Sequence, residues 1–388
     1  MKIVHLLPYY APAWGFGGVV RAVYGLTTAL AAQGHEVVVV TTDANDQDAP
    51  PLVAEERMDG VRVLRCRNMV PSLRHFNLSS PVGLRSVLQT ILQDAAVLHV
   101  HEFRTVENLV ALPLARQLGI PVVLSPHGTL TVDTGRSFVK RGWDRLWGRW
   151  SAKQVNHVVG LTADEVAEAC LLWSRLGLAL TAAQISVVPN GVNPADFTTL
   201  PSRHVFREQW GVPADAPVIL FLGRLHERKG VHHLIDALVV LPDVWLAVVG
   251  PDEGQESALR AQAGRLGVAE RIIFTGLLTG NAKLAALSGA DLLALPAVGE
   301  GLPMVALEAM AAGLPVALSA GCHLPEAVAA GAGVRLQPLT GPALAASLAP
   351  LLADQQLRQS MGRAGQRLVA EQFAWVVIAS QMVAGYEL

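Results

Sequence analysis

Two glutamates flank a short apolar run in the segment Glu300–Glu308, which reads EGLPMVALE. Pro303 is typical of a helix start, so Glu300 lies in the preceding loop and Glu308 lies about one turn inside the helix. The loop before the helix also presents backbone amide groups at a helix N-terminus, which suit a phosphate. The alternative is that Glu300 caps the helix and Glu308 is solvated. The spacing alone does not separate the two interpretations.

A basic segment, Gly223–Gly230, reads GRLHERKG and lies between an apolar run and a predicted helix. Arg224 offers a planar fork of donors and Lys229 offers a compact charge, so together they can neutralise a diphosphate leaving group. The alternative is a solvated basic loop. The position at the carboxyl end of a predicted strand favours the binding role.

Glycines cluster at residues 15–18, GFGG, between the first predicted strand and the first predicted helix. Gly17 and Gly18 would let the backbone approach a phosphate at the start of that helix. A flexible tight turn is the alternative, because the spacing is not that of the GxGxxG fingerprint.

Histidines lie on or just after two of the predicted strands. His127 lies in the segment SPHGTL, where it either faces a ligand or packs at a strand end. His99 and His101 alternate along one strand with Glu102 beside them, which is a pattern that a metal could use. We expect no metal site, because no third ligand at a suitable spacing is evident.

Short β-branched runs alternate with longer amphipathic stretches, which predicts parallel sheets with helices on both faces. In the first half we predict a helix at Val19–Gln33 and strands at Lys2–Leu7, Glu36–Thr41, Val61–Arg65, Ala96–His101 and Val122–Ser125. In the second half we predict helices at Val231–Leu241 and Met304–Ala312 and strands at Val218–Gly223, Trp245–Gly250, Ile272–Thr275, Asp291–Leu295 and Pro315–Leu318.

The length of 388 residues suggests about two domains. A turn-rich linker, Val188–Pro201, contains an Asn-Gly pair and three prolines. We therefore predict an N-terminal domain at residues 1–197 and a C-terminal domain at residues 198–370. Each is expected to be a doubly wound α/β domain with ligands at the carboxyl ends of its strands.

Composition narrows the class of protein. Hydrophobic residues make up 51% and charged residues 16%, which is typical of a globular chain, and the net charge of −2 gives no support to a nucleic-acid partner. Three cysteines lie far apart and suggest neither zinc nor disulfides. No apolar run approaches the roughly 20 residues of a spanning helix and no signal-peptide core is evident, so we expect a soluble cytoplasmic protein.

The string PAVGEGLPMVALEAMAAGLPVALS at 296–319 resembles the core signature of the retaining family 4 glycosyltransferases of the GT-B fold. In that family a Glu, seven residues and a second Glu precede a Gly-x-Pro-Val strand. Further matches follow in the expected order: Gly-Gly at 17–18, SPHGTL at 125–130, VPNGVNPADF at 188–197, GRLHERKG at 223–230 and LPEAVAAGAGVRLQP at 324–338. The resemblance implies two Rossmann-like domains facing across a cleft, with a C-terminal helix at 371–388 that returns to the N-terminal, acceptor-binding domain.

The resemblance also implies a role for each matching residue. Arg224 and Lys229 would bind the diphosphate of a nucleotide-sugar donor, and Glu308 would hold its ribose. The implied catalytic residues are His127, Glu300, Arg224 and Lys229. The implied donor-binding residues are Gly17, Gly18, Arg224, Lys229, Leu277, Gly301, Leu302, Pro303, Met304 and Glu308, with Leu277 beside the base.

The implied activity is retaining hexosyl transfer from a nucleotide sugar to a glycan or lipid-linked acceptor in cell-surface polysaccharide biosynthesis. UDP is favoured over GDP and ADP, and no cofactor or metal is expected because Arg224 and Lys229 take the place of the metal. The alternatives are a nucleotide-sugar epimerase of the same architecture and a non-catalytic nucleotide-sugar-binding scaffold. The spacing of the two glutamates argues against the epimerase, and the intact charged positions argue against the scaffold. Departures from the family pattern at 297–299 and 321–323 leave the sugar open.

A Trp-rich basic stretch at 141–153, RGWDRLWGRWSAK, predicts an amphipathic helix. Trp143, Trp147 and Trp150 share one face, and Arg141, Arg145, Arg149 and Lys153 lie near another. Such a helix can dock on an anionic bilayer, here the inner face of the plasma membrane, to reach a lipid-linked acceptor. The alternative is that the indoles pack into the core of the N-terminal domain.

Overall fold

The computed structural model describes residues 1–46, 49–70, 72–73, 78–131 and 137–387, so Leu388 of the predicted closing helix lies outside the described residues. The chain forms two compact units. Unit 1 comprises Met1–Gly191 and Trp375–Leu388, and unit 2 comprises Val192–Ala374. The units divide earlier than the predicted boundary at 197/198, because Val192 pairs with Ala374 in a parallel bridge that belongs to unit 2. The return to unit 1 comes after residue 371, because Val369–Phe373 continues the last helix of unit 2.

Unit 1 is built on a nine-stranded sheet in the order β3-β4-β2-β1-β6-β7-β8-β9, with β5 paired to β4. β3 and β5 run antiparallel to their neighbour β4. The strands are β1 Lys2–Leu6, β2 Glu36–Thr42, β3 Glu55–Met58, β4 Val61–Asn68, β5 Pro81–Val82, β6 Val97–His101, β7 Val122–Ser125, β8 His157–Gly160 and β9 Ile185–Val187.

Helices cover both faces of this sheet because its parallel strands are apolar on both faces. Val4 and Leu6 of β1 pack into the core on one face, and Ile3 packs into the core on the other. The helices are α1 Gly18–Ala32, α2 Leu84–Ile91, α3 Val106–Leu118, α4 Ser137–Trp143, α5 Arg149–Ala152 and α6 Ala163–Arg175. A π-helical turn, Asp144–Gly148, joins α4 to α5.

Unit 2 contains a six-stranded parallel sheet in the order β12-β11-β10-β13-β14-β15, which is the doubly wound order of a Rossmann fold. The strands are β10 Val218–Leu222, β11 Trp245–Val249, β12 Ile272–Gly276, β13 Leu292–Leu295, β14 Val316–Ser319 and β15 Gly333–Leu336. The helices are α7 Arg203–Gln209, α8 Val231–Ala237, α9 Glu256–Arg265, α10 Gly280–Gly289, α11 Met304–Ala311, α12 Pro325–Ala329, α13 Gly341–Ala353 and α14 Gln355–Leu368.

The C-terminal helix, α15 (Trp375–Ala384), packs on α1 of unit 1, as the resemblance implied. Gly25 makes this contact possible, because a Cβ at that position would lie 2.2 Å from the Trp375 indole. Gln33 of the turn after α1 donates hydrogen bonds to the Val376 carbonyl and to Ser380, at 2.8 and 2.9 Å. Helix α15 is therefore part of the unit 1 core, to which it contributes Ile378, Ala379 and Met382. Among the described residues, none of the helices combines the length and the apolar character needed to cross a bilayer.

Candidate functional site

The predicted donor-binding segments lie at the carboxyl edge of the unit 2 sheet. Residues 223–230 follow β10 and residues 296–303 follow β13, and these two strands are neighbours in the middle of the sheet. The strand order reverses between β10 and β13. In a doubly wound sheet a crevice opens at this point, and ligands bind there.

The two segments are hydrogen-bonded to each other. The amide of Val298 donates to the Arg228 carbonyl over 2.8 Å, and the Arg228 side chain donates back to the carbonyls of Val298 and Gly299. Gly230 has a φ of +72°, and a Cβ there would lie 2.2 Å from the Pro296 carbonyl oxygen. Arg228 therefore fixes the loop, and only glycine fits at the point of closest approach.

Lys229 forms an ion pair with Glu300 between the two segments. Both side chains are about four-fifths buried, at 18% and 20% exposed. The amide of Glu300 donates to the Gly321 carbonyl over 2.9 Å. Glu300 does not cap α11, because the residue before that helix is Pro303 and no side chain caps it. The capping alternative for Glu300 is thus wrong.

Glu308 lies in α11 and is mostly buried, so the solvated alternative for this residue is wrong as well. Its Oε1 accepts a hydrogen bond from Nζ of Lys283 over 2.7 Å. Its Oε2 is buried and has no hydrogen-bond partner among the described residues. Lys283, which sequence reasoning missed, comes from α10, where it is the one charged residue in GNAKLAALSG. That isolation in an apolar helix was the available signal.

Arg224 forms an ion pair with Glu253, which follows β11, with 2.5 Å between Nη1 and Oε1. The Arg224 side chain is 63% exposed. Arg224 and Lys229 are therefore held by different acidic partners, and the structure does not bring them onto one group. Their joint role at a diphosphate stays a prediction.

The remaining predicted donor-binding residues of unit 2 lie on the same edge of the sheet. Leu277 follows β12 and is 66% exposed. Gly301 is exposed, Leu302 and Pro303 are buried, and Met304 begins α11. The loop thus presents the start of a helix toward the crevice, where amide groups and the helix dipole favour an anion.

In unit 1, Gly17 has a φ of +101° and precedes α1, and Gly18 is the first residue of that helix. A Cβ at either position would have no heavy atom within 4 Å. Packing therefore does not require glycine at these positions, although the backbone of Gly17 favours it. The predicted phosphate contact of this loop stays a prediction.

His127 follows β7 and has a φ of +54°. Its Nε2 lies 2.9 Å from Nδ1 of His101, so the alternative that it merely packs at the strand end is incomplete. Burial lowers the pKa of His127 to about 4, which keeps the ring neutral near neutral pH. At this edge of unit 1, burial and the nearby Glu107 carboxylate raise the pKa of Glu102 to about 7.

The sequence-based prediction also missed His5, which lies opposite His99 in the register of β1 and β6. One ligand nitrogen each from His5, His99 and His101 lies within 4.8 Å of the others, so a third ligand for a metal is present after all. His99 uses both of its nitrogens, with the Tyr386 hydroxyl at 2.7 Å and the Ser125 hydroxyl at 2.8 Å. The available signal for this cluster was a histidine between apolar residues, Val4 and Leu6, in the first strand.

The Trp-rich stretch 141–153 forms the end of α4, the π-helical turn and α5. Trp147 and Trp150 are each 39% exposed, and Phe138 and Leu146 beside them are 87% and 67% exposed. The alternative that all three indoles pack into the core is therefore wrong. Arg149 donates to the carbonyls of Leu176 and Gly177 and so caps α6. Arg141, Arg145 and Lys153 are exposed as well.

Comparison with known proteins identifies related sequences over nearly the whole chain. The family described as Glycosyl transferases group 1 matches residues 202–368, and the Glycosyl transferase 4-like domain matches residues 17–191. The chain is 30% identical to a phosphatidyl-myo-inositol mannosyltransferase of Mycobacterium leprae over 100% of this chain and 96% of that protein. It is also 30% identical to a 2-deoxystreptamine N-acetyl-D-glucosaminyltransferase of Streptomyces fradiae over 78% and 76% of the two chains.

Solved structures share the fold. Sucrose-phosphate synthase from Thermosynechococcus elongatus superposes with a TM-score of 0.75 at 23% identity, covering 99% of this chain and 98% of that one. HepE of Anabaena, solved in complex with UDP and glucose, superposes with a TM-score of 0.74 at 22% identity, covering 99% of each chain. These likenesses confirm the predicted GT-B fold. The chain belongs to the group 1 glycosyltransferases, and it is accordingly a transferase of glycosyl groups.

Proposed function

We propose that the chain is a retaining, metal-independent glycosyltransferase that takes a hexose from a UDP-sugar. The observation that carries the donor site is the buried Oε2 of Glu308 in α11, which has no hydrogen-bond partner among the residues that the structure describes. A buried acceptor of this kind gains free energy from a ligand hydroxyl, such as that of a ribose. The presence of UDP in the HepE structure supports UDP over GDP and ADP.

Both glutamates of the signature are paired with lysines, Glu300 with Lys229 and Glu308 with Lys283. Neither carboxylate is poised as a free nucleophile or base, unlike the carboxylate pair of a glycosidase. We therefore favour a front-face reaction with retention. The acceptor oxygen bonds to the anomeric carbon while the bond from that carbon to the phosphate oxygen breaks. The phosphate oxygen keeps the bonding electrons and takes the acceptor proton.

Charge stabilisation is the main contribution of the protein to this step. Lys229, Arg224 and the amide groups at the start of α11 would stabilise the developing charge on the diphosphate, which replaces a divalent metal. Glu300 would orient the sugar, and Lys229 could turn from Glu300 to the phosphate when the donor binds. Gly17 and Gly18 would contact the phosphates, and Leu277 would lie beside the base.

The acceptor is proposed to be a glycan or a lipid-linked sugar of cell-surface polysaccharide assembly. The exposed Trp147 and Trp150, with the exposed cations Arg141, Arg145 and Lys153, match an anionic bilayer surface. We propose that this surface, residues 138–153, places the enzyme on the inner face of the plasma membrane. A lipid-linked acceptor would then be within reach.

A thermal-shift panel with the full chain tests the donor. UDP and one UDP-sugar should raise Tm, while GDP and ADP at equal concentration should not, because a ligand stabilises the native state by mass action. A shift with GDP or ADP alone would overturn the UDP assignment. The anomeric configuration of the product, read by NMR, then tests retention. Conversion of the donor sugar without any acceptor would point instead to an epimerase.

A further inference from the structure

His127 is one end of a chain of three hydrogen-bonded histidines inside unit 1. Its Nε2 lies 2.9 Å from Nδ1 of His101, and Nε2 of His101 lies 3.0 Å from Nδ1 of His5. His5 and His101 are 0% and 1% exposed. At the far end, Nε2 of His5 is buried and has no hydrogen-bond partner within the described part of the chain.

All three rings are neutral near neutral pH. Burial lowers the pKa of His5 to about 3 and that of His127 to about 4, and it holds the pKa of His101 well below the usual range. A neutral imidazole carries one N–H, so it donates at one nitrogen and accepts at the other. His101 must therefore accept from one neighbour and donate to the other. The chain of hydrogen bonds runs in one of two directions.

The unpaired Nε2 of His5 decides the direction of the hydrogen bonds. If the hydrogen bonds run from His127 toward His5, each ring is protonated at Nε2, and the Nε2–H of His5 is a buried donor without an acceptor. If they run from His5 toward His127, each ring is protonated at Nδ1, and His5 leaves only a lone pair unpaired. Orphaned buried N–H groups are rarer than unpaired acceptors. The second direction is therefore the more stable one.

A metal bound by His5, His99 and His101 is the competing use of these side chains. Two nitrogens on one tetrahedral zinc lie about 3.3 Å apart, given Zn–N bonds of about 2.0–2.1 Å. Nδ1 of His5 and Nε2 of His101 are closer, at 3.0 Å, and satisfy hydrogen-bond geometry. His99 is already bonded at both nitrogens, to Tyr386 and Ser125. The geometry therefore favours hydrogen bonds between the histidines over a metal ion bound by them.

We propose that His101 and His5 are positioning residues that fix His127 as its neutral Nδ1–H tautomer, so that His127 offers a hydrogen-bond donor to a substrate hydroxyl. Its Nε2 lone pair is then occupied by His101, which leaves no basic nitrogen for a substrate proton. The inference rests on the proposed function only for the identity of the ligand. His101 and His127 line a small cavity of unit 1 together with Ser125, Asn190 and Trp375.

The tautomer can be measured without any assay of transfer. In the full chain labelled with ¹⁵N-histidine, a long-range ¹H–¹⁵N correlation spectrum distinguishes protonated from unprotonated ring nitrogens, and His127→Ala identifies the signals of His127. We expect a protonated Nδ1 and an unprotonated Nε2. A protonated Nε2, an imidazolium near neutral pH, or loss of the pattern on adding one equivalent of Zn²⁺ would overturn the proposal.

Two substitutions at His101 separate positioning from packing. The amide nitrogen of Asn falls near the place of Nδ1 and that of Gln near the place of Nε2, so His101→Asn keeps the donor to His127 and His101→Gln removes it. We expect kcat/KM of His101→Asn to exceed that of His101→Gln by about tenfold, the loss typical of one hydrogen bond. Equal values in two variants of equal Tm would contradict the proposal. If no donor supports transfer by the unmodified chain, the proposed function fails, and the tautomer measurement still decides this inference.

Discussion

Nζ of Lys283 lies 2.7 Å from Oε1 of Glu308, while Oε2 of the same side chain is buried and has no hydrogen-bond partner in the described part of the chain. An unpaired buried acceptor costs free energy in the ligand-free protein. A hydroxyl that reaches Oε2 recovers that free energy on binding. Lys283 therefore orients the Glu308 side chain, and Oε2 remains available to a ligand hydroxyl.

Replacing Glu308 should weaken donor binding more than it slows chemistry. For Glu308→Ala we expect the donor KM to rise about tenfold or more with a smaller change in kcat, because the lost contact is present in the ground state and in the transition state. Glu326→Ala, at an exposed carboxylate of α12, is the matched control. Initial rates over a range of donor concentrations decide the outcome. An unchanged KM would remove Glu308 from the donor site.

Lys229 should matter most for the chemical step. For Lys229→Ala we expect kcat/KM to fall about a hundredfold or more, since a cation that stabilises the leaving diphosphate is lost. Arg265→Ala, which removes an exposed cation at the end of α9, should have little effect. The Lys229→Ala/Glu300→Gln double variant tells whether Lys229 stabilises the diphosphate or only neutralises Glu300. Recovery of activity there would show that Lys229 only neutralises Glu300.

Transfer should not require a divalent metal, because basic side chains and helix amides carry the charge stabilisation. We expect equal rates with and without EDTA in product assays under saturating donor. Complete loss of activity with EDTA, restored by magnesium or manganese, would contradict this mechanism.

The surface at 138–153 should bind anionic membranes. We expect the full chain to sediment with phosphatidylglycerol vesicles at low salt and to be released as salt rises, because cations and indoles both contribute. Trp147→Ser/Trp150→Ser should reduce the bound fraction, whereas Val239→Ser, an exposed apolar residue of unit 2, should not. If the unmodified chain stays in the supernatant at low salt, the membrane proposal is wrong.

The buried histidines should make unit 1 sensitive to acid. In the unfolded chain a histidine has a pKa of about 6.5, whereas burial lowers the pKa of His127 to about 4 and that of His5 to about 3. Between these values the unfolded state binds more protons, so these groups lower the free energy of unfolding as pH falls through that window. Above about pH 6.5 these histidines are neutral in both states and add no pH dependence to the free energy of unfolding.

Glu102 acts in the opposite sense, because its pKa is raised to about 7 in the folded chain. Comparison of variants isolates the histidine contribution. For His5→Asn we expect urea unfolding between pH 6.5 and 4 to show a slope shallower by up to about 1.4 kcal/mol per pH unit, which is the value for one proton. His204→Asn, at an exposed histidine, should keep the original slope. An unchanged slope in His5→Asn would contradict the buried neutral state.

The fold was predictable because its parallel strands are continuous apolar runs. Every predicted strand overlaps an observed one, from β1 to β14. β5, β8, β9 and β15 were not predicted. β3, which reads EERM, was also missed, because an antiparallel edge strand exposes alternate residues and needs no apolar run. Boundaries were less predictable, since the bridge between Val192 and Ala374 depends on residues far apart in sequence.

Candidate site residues could be predicted where charged residues lie in a loop after a predicted strand. Their partners could not be predicted, because these come from segments distant in sequence. The segments carrying Lys229 and Glu300 do meet, yet no pattern in either one pairs the two side chains. Lys283, Glu253 and His5 reach their partners through the strand order, which aligns segments distant in sequence. Spacing within one segment cannot reveal such contacts.

The chain passes from unit 1 to unit 2 once, at Gly191, and returns once, at Ala374. Unit 2 is thus an uninterrupted stretch of sequence, and its two ends lie side by side, since the Val192 amide donates to the Phe373 carbonyl over 2.8 Å. Unit 1, in contrast, needs its last residues, where Tyr386 bonds His99 in the core. A gene fragment for unit 2 therefore needs a single continuous stretch, Val192–Ala374, whereas one for unit 1 needs a fusion that joins Gly191 to Trp375 through a short linker.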